Sequence, residues 1–309
     1  MSTYLYSHPS CAQHDPGPMH PECPERLRVV VEGLKDKSFQ HLSRHEAPEI
    51  DLELVEMVHQ SYYIEKIVEN IPEQGRVRLD PDTVMSPRTL EATRRSSGAA
   101  VEAVDRVMAG DATNAFCAVR PPGHHAESAQ AMGFCLFNGA AIAAFHARSA
   151  HKLDRVAVID FDVHHGNGTQ HSFEAEPNLF YGSSHQWPAY PGTGQENETG
   201  CMNNIWNLPL SPGSGSEEFR RGYEKRILPA LRHFRPDLLI ISAGFDAHAR
   251  DPLAQLELQT DDYGWVTEQL LNVASECCDS RVVSLLEGGY DLRALQESVQ
   301  VHVRALMSA

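Results

Sequence analysis

The stretch Val156-Ala-Val-Ile-Asp-Phe-Asp-Val-His-His-Gly166 indicates the fold class. Its apolar first half has the pattern of a strand buried on both faces, and its polar second half follows where that strand ends. Asp162 and His164 are two residues apart, so their side chains point to the same side of extended backbone. A carboxylate and an imidazole that converge in this way suit a metal ion, although an isolated Asp-x-His can equally be a solvated strand end.

Four further short apolar runs have the same character, at residues 116–119, 179–181, 238–242 and 282–286. Helical patterns alternate with them, at residues 24–34, 86–110, 140–144, 217–234, 262–277 and 292–307. This alternation predicts an α/β fold with a doubly wound, mainly parallel sheet and helices on both faces. In such sheets the ligand site lies outside the carboxyl ends of the strands.

The composition excludes several classes of protein. The 309 residues are 41% hydrophobic and 22% charged, as in ordinary globular domains, and no linker-like segment divides them, which predicts one domain over residues 1–309. Forty-two acidic residues against 26 basic ones give a formal charge of −16. A nucleic-acid partner is therefore not expected, and cationic ligands such as lysine-rich peptides or polyamines are favoured.

The cysteines and the amino-terminal segment bear on the cellular compartment. Seven cysteines without a CxxC pair are typical of reduced thiols. The sequence shows no signal peptide, no Lys/Arg cluster of the nuclear-address type, and no apolar run of the roughly 18 residues that span a membrane. We therefore expect a cytoplasmic protein without a membrane partner.

Three other predicted strands also end in residues suited to chemistry. Asp246 follows a very apolar run, where a carboxylate is costly unless it is paired or bound to a cation. His124 and His125 follow a Pro-Pro-Gly turn, and histidine suits proton transfer near neutral pH. Tyr290 follows two glycines and can donate a hydrogen bond to a developing oxyanion. Each has a plain alternative as a helix cap, an exposed turn or an anchor, but together they favour a shared site.

Two carboxylates and one histidine form a donor set for a catalytic metal. If Asp246 reaches Asp162 and His164, three protein ligands leave one position open, as in catalytic zinc sites, and the oxygen-rich set would also accept Fe²⁺. A two-metal hydrolase of the arginase type would need another carboxylate two residues after His164, where this chain has Gly166. We therefore expect a single transition metal.

Blocks along almost the whole chain resemble the signature blocks of the zinc-dependent histone deacetylase family, in the family's order. They are residues 120–126 (RPPGHHA), 133–138 (GFCLFN), 160–168 (DFDVHHGNG), 190–194 (YPGTG), 242–246 (SAGFD) and 287–290 (EGGY). Residues 14–26 (HDPGPMHPECPER) resemble the class II branch, which includes bacterial deacetylase-like amidohydrolases and is related to acetylpolyamine amidohydrolases. The resemblance implies the arginase/deacetylase fold, which agrees with the sheet argument.

The resemblance also implies a mechanism. Asp162, His164 and Asp246 match the zinc ligands of the family, and Tyr290 matches the tyrosine that holds the tetrahedral oxyanion. The implied reaction is hydrolysis of an acyl amide by metal-activated water, with His125 as general base and then as acid toward the leaving amine.

The tandem histidines have orienting partners in the family pattern. Asp160 matches the carboxylate that orients His124, and Asn167 stands where some branches carry Asp as the partner of His125. An amide can orient His125 but cannot stabilise its cation, so His125 should stay neutral more readily, which fits a general base.

Further residues are implied to shape the substrate site and to bind a structural cation. Gly133, Phe134 and Tyr190 match the lining of a narrow tunnel for an alkyl chain with a buried amide tip, although a core aromatic is the alternative for Phe134. A structural potassium ion is the family expectation, and its candidate ligands, partly through backbone carbonyls, are Asp160, Asp162, His164 and Ser183.

Leu253 bears on the substrate. A polyamine-selective family member can carry a glutamate in the loop after the last zinc ligand, where this chain has Leu253, so the sequence favours acyl-lysine in proteins or peptides over a polyamine. A small acylated amine and a weakly active acyl-lysine-binding protein remain as alternatives, and a homo-oligomer is an open possibility. The other histidines, such as His41, His59, His151 and His302, are expected at the surface rather than among the ligands.

Overall fold

The computed structural model describes residues 2–309. Its strands are β1 (Thr3–Ser7), β2 (Ser43–Glu46), β3 (Val77–Arg78), β4 (Val84–Met85), β5 (Asn114–Cys117), β6 (Val156–Asp160), β7 (Leu179–Gln186), β8 (Ile205–Leu210), β9 (Leu238–Ala243) and β10 (Val282–Leu286). Its helices are α1 (Pro24–Gly33), α2 (Leu52–Val55), α3 (Ser61–Glu69), α4 (Thr89–Ala109), α5 (Gly139–His151), α6 (Asn167–Phe173), α7 (Ser216–Gly222), α8 (Leu228–Phe234), α9 (Thr260–Cys277) and α10 (Leu292–Met307).

Eight of these strands form one parallel sheet, in the order β2-β1-β5-β10-β9-β6-β7-β8. The strands β5, β6, β7, β9 and β10 are buried at every residue, which explains why their sequences contain apolar runs. The helices α4 and α5 pack on each other, and α1, α9 and α10 form a second group. The predicted doubly wound α/β architecture is therefore confirmed.

The predicted elements differ from the observed ones mainly in extent. The strand predicted at 179–181 continues to Gln186, five residues beyond its predicted end. The helix predicted at 217–234 contains a π-helical turn, Tyr223–Ile227, between α7 and α8. The helix predicted after Ser86-Pro87 ends at Gly110, which adopts the left-handed conformation with φ of 79°.

The topology places the chemistry-bearing motifs in one row. The strands β5, β10, β9 and β6 are consecutive neighbours in the sheet, and His124, Tyr290, Asp246 and Asp162 follow their respective carboxyl ends. Because the strands are parallel, these ends lie along the same edge of the sheet. Within residues 2–309, no helix combines the length and the apolar character needed to cross a bilayer.

Candidate active site

The structure brings the three predicted metal ligands together. Asp162 and His164 follow β6 and Asp246 follows β9, and one ligand atom from each lies within 4.8 Å of the others. The Nδ1 atom of His164 is 3.2 Å from Oδ1 of Asp162 and 3.2 Å from Oδ2 of Asp246. The two carboxylates are almost completely buried, so they converge on a place with little access to water.

The chemistry of this cluster fits a bound divalent metal. The Oδ1 atom of Asp246 accepts the N–H of Val163 at 2.8 Å, but its buried Oδ2 atom receives no well-aligned hydrogen bond, since the contact with Nδ1 of His164 at 3.2 Å does not have hydrogen-bond geometry. Such an oxygen is costly unless a cation satisfies it. Zinc bonds of about 2.0–2.1 Å in a tetrahedral site separate neighbouring ligand atoms by about 3.3 Å, close to the spacing around His164. Asp162, His164 and Asp246 are therefore suitable ligands for zinc, with one position left open.

Gly288 keeps this cluster compact. Its N–H donates to Oδ2 of Asp162 at 2.8 Å, which holds the carboxylate from the side of β10. A Cβ atom added at Gly288 would overlap the carboxylate oxygens of both Asp162 and Asp246. A glycine is needed here because the backbone approaches the two ligands directly.

A second group of histidine and aspartate side chains suits a metal less well. Both His146 and His151 place Nε2 within hydrogen-bond distance of Oδ1 of Asp105, at 2.7 and 2.6 Å. The Nδ1 atom of His146 is buried without a partner. A metal at Nε2 would require a proton on Nδ1, which would leave a buried N–H unsatisfied. This group is therefore best described as a hydrogen-bonded cluster between α4 and α5.

The tandem histidines lie against the ligand cluster and have different partners. The Nδ1 atom of His124 is 3.0 Å from Oδ2 of Asp160, and Nδ1 of His125 is 2.8 Å from Oδ1 of Asn167. The two imidazole rings are 4.0 Å apart between centroids, and the His125 ring is 6.0 Å from that of His164. With Nδ1 occupied in each ring, Nε2 is the nitrogen left for chemistry.

The surroundings separate the protonation states of the two rings. Burial lowers the pKa of His125 well below its usual value, and the adjacent His124 and His164 lower it further. Burial also lowers the pKa of His124, but the carboxylates of Asp162 and Asp160 outweigh it and raise that pKa to about 10. These surroundings favour the protonated form of His124 and the neutral form of His125.

Glu287 is a site residue that the sequence analysis did not assign. Its Oε2 atom accepts the N–H of Gly123 at 2.7 Å and that of His124 at 3.3 Å, so it fixes the turn that carries the tandem histidines. Burial raises the pKa of Glu287 to about 7. The argument that singled out Asp246, a carboxylate at the end of an apolar strand, applies equally to Glu287 and would have found it.

Tyr290 is positioned by two backbone contacts and one guanidinium. The Arg26 guanidinium carbon lies 4.9 Å from the centre of the Tyr290 ring, and Arg26 Nε donates to the carbonyl of Gly289 at 2.6 Å. Asp251 accepts the N–H of Tyr290. Burial raises the pKa of the Tyr290 phenol well above its ordinary value even with Arg26 beside it. The phenol therefore stays protonated and can donate a hydrogen bond.

A buried ion cluster supports Arg26 from behind. Glu22 is fully buried, and its Oε1 atom is 3.0 Å from Nη1 of Arg26 and 2.5 Å from Nε of Arg120. Arg120 also donates to the carbonyls of Cys11 and His14. Two guanidinium groups around one carboxylate therefore join the amino-terminal segment to the turns that hold His124 and Tyr290. Glu22 and Arg26 belong to the block at residues 14–26 and Arg120 to the block at 120–126, although the sequence analysis assigned them no role.

Aromatic rings surround the approach to the ligand cluster. The ring of Phe134 is 5.9 Å from that of Tyr290, and the ring of Tyr190 is 5.1 Å from that of His125. Gly133, with φ of 56°, lies against the His125 ring, where a Cβ atom would overlap the imidazole. Gly133 and Tyr190 therefore lie beside His125, and Phe134 lies beside Tyr290.

Two residues at the rim are more exposed. Tyr190 is 39% exposed and Leu253 is 40% exposed, so both present apolar surface to the solvent. Leu253 lies on the loop after β9, where its N–H donates to Oδ1 of Asp251 at 3.0 Å. His20 is a further residue near the site to which the sequence analysis gave no role. Its ring packs edge to face against the ring of Phe134, with 4.8 Å between the ring centres.

Two histidines expected at the surface are in fact buried. His59 bridges the carbonyl of Glu127 and the N–H of Asn138 with its two ring nitrogens, at 2.9 Å each. His302 lies fully buried between the hydroxyls of Thr267 and Ser284. The prediction was wrong because both rings find hydrogen-bond partners inside the protein, so burial does not leave them unsatisfied.

The residues proposed for a structural cation lie beside the metal cluster. Asp160 on β6 pairs in register with Ser183 on β7, so the two residues are neighbours across the sheet. Oδ1 of Asp160 accepts the N–H of Asp162 at 3.1 Å, and its Oδ2 accepts from Tyr181. Since both carboxylate oxygens are engaged, a cation here would draw mainly on backbone carbonyls.

The fold places a possible metal-binding cluster beside two buried histidines, and comparisons with known proteins identify the family. The histone deacetylase domain family matches residues 20–306. The HD domain of HDA15 superposes with a TM-score of 0.94 at 33% identity, over 99% of this chain and 88% of that one. The arginase/deacetylase fold is thus confirmed.

Relatives in bacteria and plants agree with this match. A histone deacetylase-like amidohydrolase of Pseudomonas aeruginosa is 38% identical, over 88% of this chain and 72% of its own. A chloroplastic histone deacetylase 10 of Oryza sativa is also 38% identical, over 93% of this chain and 70% of its own. The chain belongs to the histone deacetylase family, and its relatives support a deacetylase activity.

Proposed function

We propose that this protein is a zinc-dependent hydrolase that removes acetyl or other acyl groups from the ε-amino group of lysine in proteins or peptides. The observation that carries the proposal is the buried, unpartnered Oδ2 of Asp246 within a three-ligand cluster beside a neutral His125. Fe²⁺ is the alternative metal for the same oxygen-rich ligand set.

Held by Asp162, His164 and Asp246, the metal would supply Lewis acidity toward the amide carbonyl and lower the pKa of a bound water. The neutral His125 accepts the water proton at Nε2, since its Nδ1 faces Asn167. As the oxygen of the deprotonated water adds to the amide carbonyl carbon, negative charge develops on the carbonyl oxygen. The hydroxyl of Tyr290 donates a hydrogen bond to that oxygen. His125 then gives its proton to the amine nitrogen as the C–N bond breaks and the acyl group leaves as a carboxylate, while a protonated His124 would offset the negative charge.

The surroundings of the site support an acyl-lysine substrate. Phe134 and Tyr190 offer apolar ring surface that suits a methylene chain. A surface cleft of about 610 Å³ adjoins Phe134 and gives room for residues that flank a lysine. Leu253 carries no charge to pair with a second ammonium group. An acetylpolyamine or another small acylated amine is the second candidate, since the protein's net charge of −16 favours any cationic ligand.

A protein that binds acyl-lysine with little turnover is a third reading. Tyr290, His124 and His125 are all present in the arrangement described above, which speaks for turnover. Binding of an acetyl-lysine peptide without release of acetate would favour the non-catalytic alternative.

Several further properties are part of this proposal. Residues 1–309 act as one catalytic domain, in the cytoplasm, and without a nucleic-acid or membrane partner. A potassium ion at Asp160, Asp162, His164 and Ser183 would stabilise the end of β6 through backbone carbonyls. A homo-oligomer is compatible with this function, and sedimentation would determine whether one forms.

Acetate release by the zinc-reconstituted protein tests the proposal directly. Acetyl-lysine peptides, acetylputrescine and acetylspermidine are offered in parallel, with the Tyr290→Phe variant as control. Turnover of peptides that is lost in the variant supports lysine deacetylation, whereas a preference for polyamines keeps the mechanism and refutes the substrate. No turnover of any amide, including those with longer acyl chains, would refute the enzymatic proposal.

A further inference from the structure

A chain of hydrogen bonds runs outward from His125, and the mechanism above uses only its first member. Nδ1 of His125 is 2.8 Å from Oδ1 of Asn167, and Nδ2 of Asn167 donates to Oε1 of Glu127. The same oxygen of Glu127 lies 2.7 Å from Nδ1 of His171. Asn167 is buried, the Glu127 side chain is 20% exposed and that of His171 is 44% exposed, so the chain leads from the site to the surface.

The two ends of the Asn167 amide have nearly the same shape but opposite hydrogen-bonding character. If its oxygen faces His125, the imidazole must carry its proton on Nδ1, and Nε2 is free to accept a proton. If its NH₂ group faced His125, the imidazole would carry the proton on Nε2 and could not act as a base there. The orientation of one amide therefore determines which tautomer of His125 is present.

Glu127 selects the productive orientation. An ionised carboxylate only accepts hydrogen bonds, so it pairs with the NH₂ end of Asn167 and turns the oxygen toward His125. The carbonyl of His125 also accepts from Asn167 Nδ2, but at 3.3 Å and without a charge. The carboxylate is thus the strongest acceptor that the amide meets.

Glu127 is itself held in place by its backbone. Its N–H donates to the carbonyl of Gln130 at 2.9 Å, and its own carbonyl accepts from Nδ1 of His59 at 2.9 Å. The buried His59 therefore fixes the segment that carries Glu127, and His171 fixes the carboxylate from the solvent side.

We infer that Glu127 is a positioning residue for His125, acting through Asn167 to hold the imidazole in the tautomer whose Nε2 accepts a proton. This inference rests on the proposed function, in which His125 is the general base. Asp160 orients His124 through a direct hydrogen bond. Glu127 would orient His125 in the same way, but through the intervening amide of Asn167.

The first test compares Glu127→Leu, Glu127→Gln and the exposed control Glu174→Gln at the end of the same helix as His171. Glu127→Leu is expected to lower kcat about tenfold with an unchanged KM, as when a partner behind a site residue is removed. Glu127→Gln can still accept from Asn167 and should lose less, and Glu174→Gln should lose nothing. Thermal melting of each variant separates a folding defect from a positioning defect.

The second test replaces Asn167 with aspartate, whose ionised side chain can only accept hydrogen bonds and so needs a donor at position 127. Asn167→Asp places a carboxylate against Glu127, so kcat is expected to fall severely. In the double variant Asn167→Asp with Glu127→Gln, the new amide can donate to the new carboxylate, so kcat should recover by severalfold over Asn167→Asp alone. A double variant that is as slow as Asn167→Asp, or slower, would overturn the inference.

The tautomer can also be measured without any turnover. In zinc-loaded protein labelled with ¹⁵N-histidine, the imidazole nitrogen shifts of His125, assigned with a His125→Gln variant, report where its proton lies. The proton is expected on Nδ1 in the wild type and partly on Nε2 in Glu127→Leu. An unchanged tautomer in Glu127→Leu refutes the inference even if the wild type is active, whereas inactivity of the wild type toward every amide refutes only the proposed function.

Discussion

Asp251 accepts the backbone N–H of Tyr290 at 2.7 Å through one carboxylate oxygen, and the N–H of Leu253 at 3.0 Å through the other. One buried side chain thus joins the turn that carries the proposed oxyanion donor to the loop that carries the proposed selectivity residue. Burial raises the pKa of Asp251 to about 6. A displacement of the loop that carries Leu253 is therefore expected to displace Tyr290 as well, because both are bonded to Asp251.

Replacing Asp251 with alanine should affect both ends of this link. We expect a fall in kcat of about tenfold, because the Tyr290 N–H loses its acceptor and the phenol loses its fixed position. The solvent-exposed Asp279 provides a matched control, since its side chain is 84% exposed and Asp279→Ala should leave kcat unchanged. Equal rates for the two variants would argue against the link.

Removing the Tyr290 hydroxyl should affect chemistry and little else. Tyr290→Phe is expected to lower kcat by about 10²–10³-fold, the usual cost of losing one oxyanion donor. Zinc content and melting temperature should stay at the wild-type values, because the hydroxyl is not among the ligands. Tyr62→Phe, at a position that is 62% exposed, serves as the control. Full kcat in Tyr290→Phe would exclude the assigned role.

Asp246→Asn should impair metal binding itself. The amide cannot replace the charge of the carboxylate, so zinc affinity is expected to fall by more than the roughly 10–100-fold seen when an outer partner is removed. Metal analysis after dialysis against a chelator series gives the affinity. Retention of stoichiometric zinc at wild-type affinity would show that the metal, if any, is held elsewhere.

Leu253→Glu should change the balance between substrates. A partly exposed ion pair contributes about 0.2–1 kcal/mol, so the ratio of kcat/KM for acetylspermidine to that for an acetyl-lysine peptide should rise roughly 1.4- to 5-fold. High salt should weaken the effect, because it screens exposed charges. Leu253→Gln controls for the change of shape and should leave the ratio as it is. A wild-type ratio in Leu253→Glu would show that residue 253 does not determine the preference between the two substrates.

His302 should contribute to acid sensitivity. Burial lowers its pKa to about 3, from an ordinary value of 6.5, so the unfolded chain binds a proton that the folded protein does not between these values. The stabilising contribution of neutral His302 is present above pH 6.5 and declines as the pH falls toward 3.

The comparison uses urea unfolding of the wild type and His302→Gln at pH 7 and pH 5. The variant is expected to lose less free energy of unfolding over this interval, by up to about 1.4 kcal/mol per pH unit. His41→Gln, at an exposed position, should behave like the wild type. Identical pH dependence in His302→Gln would contradict the burial argument.

The parts of the fold that could be predicted from the sequence are those with a local signature. The strands β6, β9 and β10 are buried on both faces, so they show as apolar runs. The edge strand β2, Ser43–Glu46, alternates between partly exposed and exposed residues in a polar sequence and gave no such signal. Its place beside β1 depends on pairing across the sheet rather than on its own composition.

The same distinction applies to the site. The three predicted metal ligands could be found because each directly follows an apolar strand, where a polar side chain is unusual. They are Asp162, His164 and Asp246. The roles of Glu127 and Asp251 depend on contacts with residues 40 and 39 positions away, on separate segments whose relative placement the sequence does not reveal. His59 was misplaced for the same reason, because its partners Glu127 and Asn138 lie on separate segments.

The position of β10 in the sheet has a consequence for the order in which the protein can fold. This strand lies between β5 and β9, near the middle of the sheet, yet it is the last strand of the sheet to leave the ribosome. Without β10, the strands β5 and β9 share no sheet hydrogen bonds, and neither Glu287 nor Tyr290 is in place. A chain that ends before Tyr290 would lack both the central strand β10 and the proposed oxyanion donor, so we expect it to be inactive.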